Sequence, residues 1–83
     1  MPYKLVFTPE FYKQLDKLDN SVKQRLPQIF EKLKESPRLG KALHGKWDYY
    51  RMRFLNYRLT YTIKENELIV IVLEIGKRDE IYR

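Results

Sequence analysis

Three arginines fall within eight positions of one another: Arg51 and Arg53 before Leu55-Asn56, and Arg58 after it. From Tyr49 onward apolar and polar residues alternate with the period of a β-strand. A two-residue turn at Leu55-Asn56, where Asn tolerates positive φ, pairs Phe54 with Tyr57. That register sets Arg53 opposite Arg58 and Arg51 opposite Thr60. It sorts Tyr50, Met52, Phe54, Leu59, Tyr61 and Ile63 onto one face, the core. Tyr49, Arg51, Arg53, Arg58, Thr60 and Thr62 share the other, expected to be wet. Like charges directly opposite each other destabilise a sheet, and such broken rules belong at functional sites. A polyanion relieves all three guanidiniums at once, because each can grip a phosphate with two parallel hydrogen bonds. The plainer alternative is that the arginines splay into water at little cost.

Charge distribution points the same way. The 83-residue chain carries a net charge of +6. Residues 38–63 hold six basic residues against one acidic, whereas residues 64–83 hold four against five. Focusing of this kind raises the local concentration of an anionic partner. Trp47 and Tyr49 precede the arginines, and interleaved aromatics and bases suit single-stranded RNA. The parity of Tyr50 instead assigns it to the core.

Other chemistries are excluded or unsupported. With no Cys, there are no disulfides, zinc–thiolate sites or thiol nucleophiles. An unstapled domain this small favours a reducing cytosol, so a cytoplasmic location is expected. The Met1-Pro2-Tyr3-Lys4 start has no apolar signal region, and no apolar run is long enough to span a membrane. His44 is the only histidine, and no carboxylate partner is suggested beside it, so no triad or metal site can be built. Asp48, Glu74, Asp79 and Glu80 read as scattered, solvated acids.

The elements that must position the arginines follow from the rest of the chain, which reads as one domain over residues 1–83. Lys4-Leu5-Val6-Phe7 is a short strand. Thr8-Pro9-Glu10 opens a helix, with Thr8 as N-cap and Pro9 in the first turn. Phe11, Leu15 and Leu18 recur at helical spacing along it. A second helix carries Val22, Leu26, Ile29, Phe30 and Leu33 as one apolar stripe, with a bend or an early start expected at Pro27. Residues 38–48 read as a polar connection. Strands then run over 49–54, 57–64 and 67–75, with a second tight turn at Glu65-Asn66 and Gly76 as the terminator. The predicted class is α+β, in the order βααβββ. An N-terminal strand and a helical hairpin pack on a mainly antiparallel sheet.

At this level the residues resemble a family. Tyr50-Arg51-Met52-Arg53, then Asn56-Tyr57-Arg58-Leu59-Thr60-Tyr61, then Ile75-Gly76-Lys77-Arg78 with Tyr82 four residues on, are similar to the signature of RelE-type toxins in the RelE/ParE superfamily. Glu35-Ser36-Pro37-Arg38 and Leu43-His44-Gly45-Lys46 extend the likeness over essentially the whole chain. The resemblance implies an endoribonuclease that cuts messenger RNA in the ribosomal A site and is restrained by an antitoxin from the same operon. Cleavage would proceed by attack of a 2′-hydroxyl on the adjacent phosphate, with no metal and no cofactor. Carried over residue by residue, the active positions are Arg51, Arg53, Arg58, Arg78 and Tyr82. Arg38, Lys41, Lys46, Trp47, Tyr49 and Lys77 are the flanking candidates for RNA contact.

Arg58 and Arg78 suit phosphate clamping. Two roles stay open for Tyr82: base, or stacking platform for a nucleotide. Some family members carry Lys at the positions of Arg51 and Arg53, and Lys can exchange a proton where Arg effectively cannot. Besides a decayed toxin with no activity, two readings compete with the nuclease. One is a ParE-type toxin, which shares the fold and poisons DNA gyrase; retention of Arg58, Arg78 and Tyr82 argues against it. The other is a non-catalytic module that binds RNA or the ribosome through the same face.

Overall fold

The computed structural model describes residues 2–43 and 49–77. Strand β1 (Lys4–Phe7) leads into α1 (Pro9–Leu15), α2 (Asn20–Lys23) and α3 (Leu26–Glu35). Strands β2 (Lys41–Leu43), β3 (Tyr49–Phe54), β4 (Tyr57–Lys64) and β5 (Ile69–Lys77) follow. They form one sheet in the order β1-β5-β4-β3-β2. All neighbouring pairs are antiparallel except β1 with β5. The α+β class and mainly antiparallel sheet are as the sequence indicates, but the count of elements is not.

Three differences have clear causes. Pro27 has no N–H to give the Lys23 carbonyl, so the helical stretch stops at Lys23 and restarts at Leu26 with Pro27 in its first turn. Helix α1 ends at Leu15 because the chain tightens into i→i−3 bonds, Lys17 N–H to Gln14 O and Leu18 N–H to Leu15 O. Lys41–Leu43, expected from sequence to be connection, pairs with β3 as an edge strand too short to show alternation.

The start of α1 is as the residue types dictate. Thr8 Oγ1 accepts from Phe11 N–H at 3.1 Å, and Pro9 occupies the first turn. The helices bury Phe11, Leu26 and Leu33 against Leu59, Tyr61, Val70, Val72 and Ile75 of the sheet. Each such side chain contributes about 1.5–3 kcal/mol on burial. Phe7, Phe11 and Phe30 close the β1 side of this core, with ring centroids 5.0–6.2 Å apart.

Tyr61 ties the sheet to the connection that follows α3. Its hydroxyl donates to Pro37 O at 2.8 Å and accepts from Gly40 N–H at 2.9 Å. A Cβ on Gly40 would stand 2.6 Å from that hydroxyl and 2.7 Å from Arg51 O. Only glycine lets the chain come this close, and the contact lays β2 alongside β3.

Candidate functional site

The β3–β4 register is the one the turn implies: Arg53 faces Arg58, and Arg51 faces Thr60. The structure adds a second like-charge juxtaposition, because β2 sets Lys41 directly beside Arg51. Residues opposite each other in a sheet project to the same side. One row on this side therefore reads Lys41, Arg51, Thr60, Glu74, and the next reads Arg53, Arg58, Gly76.

This face is not wet throughout. Arg53 is exposed and Arg51 half-buried, whereas Arg58 is only 4% exposed and Thr60 8%. Position accounts for part of the difference. Strand β4 is the third of five, so its side chains are flanked by those of β3 and β5, while β3 lies toward the edge. A guanidinium held in a low-dielectric setting acts on an anion more strongly than one in water.

Tyr49 lies opposite Thr62 and so belongs to the arginine face. Together with Leu43, Arg51, Thr60, Leu73 and Glu74 it lines a depression of about 370 Å³. A second groove, about 540 Å³, runs between α3 and the hairpin. Arg25, Lys32, Lys41, Arg51 and Arg53 line it with no acid among the described residues of its walls, and Met52 and Phe54 contribute apolar surface. Arg51 and Lys41 sit where this groove meets the arginine face.

Two flanking candidates are directed elsewhere. Arg38 forms an ion pair with Glu65, whose carboxylate holds the guanidinium above its ordinary pKa. Its next neighbour, Tyr50, stacks on Tyr61 on the core side, so Arg38 does not join the arginines. Lys77 lies opposite Tyr57, on the side of the sheet that α1 covers, in a groove with Glu10, Gln14 and Lys17. Lys46, Trp47, Arg78 and Tyr82 lie outside the described residues, as do His44 and Asp48.

One residue of this face, Glu74, reads in the sequence only as a scattered, solvated acid. The last strand does not end at Gly76 but runs to Lys77, and it starts at Ile69 after a 3₁₀ turn at Glu65–Glu67 rather than a two-residue turn. Val70 and Val72 are buried in the core, so strict alternation would send Glu74 there as well. An irregularity in the β4–β5 register intervenes: Tyr61 pairs with Val72, but Thr60 pairs with Glu74. The extra residue, Leu73, turns Glu74 onto the arginine face and Ile75 into the core. A nearly unbroken run of apolar residues in β5 carries no sequence signal for such a bulge.

The family model described as "ParE toxin of type II toxin-antitoxin system, parDE" matches residues 5–82. The chain is 33% identical over 87 aligned residues to the mRNA interferase toxin RelE of Escherichia coli K12, spanning 99% of this chain and 92% of that one. Its fold is similar to that in the RelBE2 toxin–antitoxin complex of Mycobacterium tuberculosis, with TM-score 0.84, 28% identity, and 94% and 100% of the two chains covered. It is also similar to that in the intact E. coli RelBE complex, with TM-score 0.79, 32% identity, and 90% and 95% covered. The chain belongs to the RelE/ParE superfamily of type II toxin–antitoxin toxins.

Proposed function

We propose that this chain is a ribosome-dependent endoribonuclease that cleaves messenger RNA in the A site, and that a cognate antitoxin restrains it. The observation that carries this reading is the pairing of like charges on one sheet face, Arg53 with Arg58 and Lys41 with Arg51. The sheet tolerates two unfavourable pairings side by side, and a phosphate backbone relieves both. The similarity to an mRNA interferase supports cleavage as the outcome of binding. The similarity to toxins held in RelBE complexes supports an antitoxin as the restraining partner.

In this reading a 2′-hydroxyl attacks the adjacent phosphorus without a metal, and the residues meet the demands of that step. Arg51, Arg53, Arg58 and Arg78 neutralise charge as it develops on the phosphorane. Tyr82 deprotonates the 2′-hydroxyl or stacks on a base. Lys41 and Tyr49 extend the contact on this face, and Lys46 and Trp47 are further candidates for RNA contact.

The test is production of the chain in a translating extract, with primer-extension mapping of the messages. Ribosome-dependent cuts are expected, and they should vanish in Arg78→Ala and Tyr82→Ala. Intact message accompanied by gyrase-linked DNA breaks would contradict the nuclease and favour a ParE-type poison.

A further inference from the structure

We propose that Glu74 accepts the proton of the attacking 2′-hydroxyl, an assignment that rests on the nuclease reading above and leaves Tyr82 the stacking role. The need for an acceptor comes from the residue types. Transesterification requires a group that takes a proton as the 2′-oxygen attacks. The cations of the hairpin are arginines, which have five donors, no acceptor and no tendency to deprotonate. Among the described residues Glu74 is the one carboxylate on the arginine face; the others lie on the helices, in the segments joining them, or in the 65–67 turn.

Its placement is built rather than incidental. Without the bulge, Glu74 would pair with Leu59, which is fully buried, and a charge would enter the core. With it, Glu74 stands beside Thr60 in the row that continues to Arg51, and diagonal to Arg58, whose own partner Gly76 has no side chain. Helix α1 and its cap fasten the main chain on both sides of Glu74. Thr8 Oγ1 donates to Leu73 O at 2.6 Å, and Gln14 Oε1 accepts from Ile75 N–H at 2.6 Å. Bulges beside active sites re-aim side chains in this way. Glu74 is half-buried at the edge of the depression that Arg51 and Tyr49 line.

The step balances simply. The 2′-oxygen bonds to phosphorus as its proton passes to the Glu74 carboxylate. The bond from phosphorus to the 5′-oxygen breaks, and the departing oxygen takes a proton from water. Glu74 then returns its proton to solvent. The products are a 2′,3′-cyclic phosphate and a 5′-hydroxyl, with no net oxidation or reduction.

The measurement is single-turnover cleavage of a defined message on programmed ribosomes, followed against pH. Among the described residues, the charged and titratable groups on the side of Glu74 are Lys41 on β2, Arg51 and Tyr49 on β3 and Arg58 on β4. Around its backbone toward α1 lie Glu10, Lys17, Tyr57 and Lys77. Glu74→Gln preserves shape and removes the acceptor. It is expected to slow cleavage by about 10²–10⁴-fold with ribosome affinity unchanged. The wild-type rate should rise through a single ionisation at acidic pH, and that limb should be missing from the residual rate of Glu74→Gln. Wild-type cleavage matched within about 3-fold by Glu74→Gln, with the same pH profile, would overturn the assignment and leave the nuclease standing. A wild-type profile with no acidic ionisation would overturn it even if the variant failed to fold. A wild-type chain that cuts no message would remove the nuclease reading and this one together.

Discussion

The Tyr61 hydroxyl joins the sheet to the connection that follows α3. It holds the Pro37–Gly40 segment through two hydrogen bonds while its ring lies fully buried beneath the helices. Burial pushes its pKa above the usual tyrosine value of 10.0, although the Gly40 N–H pulls part of the way back. The sign of the consequence is fixed. Below that value the hydroxyl is protonated in the folded and unfolded chain alike, and the stabilisation is complete. As pH rises past it the unfolded chain loses the proton first, so stability falls toward the higher folded value. Melting temperatures measured across this alkaline range should decline more steeply for the wild type than for Tyr61→Phe. The variant should start lower by about 1–3 kcal/mol, since Gly40 N–H and Pro37 O lose their partner. The core role of Tyr61 is legible from its parity in the strand. Its polar role is not, because the partners come from a connection 21 and 24 residues away in sequence.

Among the elements, the β3–β4 hairpin is the most legible and holds the most informative exception. Its register follows from the turn length, and the alternation over 49–54 and 57–64 leaves no other pairing that buries one face. Within the turn, however, the left-handed residue is Leu55, with φ 53°, and not Asn56. Positive φ at the first central position is the II′ arrangement, for which glycine is preferred. A leucine there carries a strain of about 1–2 kcal/mol. Leu55→Gly should therefore raise stability by up to about 1 kcal/mol, the added unfolded-state entropy of glycine offsetting part of the relief. Chemical denaturation read by circular dichroism checks this, and an unchanged or lower midpoint would contradict it. Leu68, with φ 55° and ψ 45°, likewise takes a positive φ before β5, where Asn66 is the residue expected to do so. In both turns hydrogen-bonded closure of the chain overrides local residue preference. Edge strand β2 is silent in the sequence for the opposite reason. Three residues are too few to alternate, and their pairing depends on the close approach that Gly40 allows.

At the scale of the whole molecule, the helices cover one side of the sheet among the described residues, and the other side carries Arg51, Arg53 and Arg58 together with Ile69 and Ile71. The division follows from hydrophobic pattern alone, which is why the class of fold and the face bearing Arg51, Arg53 and Arg58 are legible in the residues themselves. Neither the inward setting of Arg58 nor the arrival of Glu74 is legible there, since both depend on which strands become neighbours. The central claim is that this face engages and cuts message on the ribosome. Arg53 tests it most directly, because it is exposed and its loss should leave the fold intact. The decisive measurement is the rate of message cleavage on programmed ribosomes by wild type and Arg53→Ala at matched melting temperature. The account requires ribosome-dependent cleavage by the wild type and a fall of about 10²-fold or more in the variant. Cleavage at equal rates by the two proteins, or none by either, would contradict it.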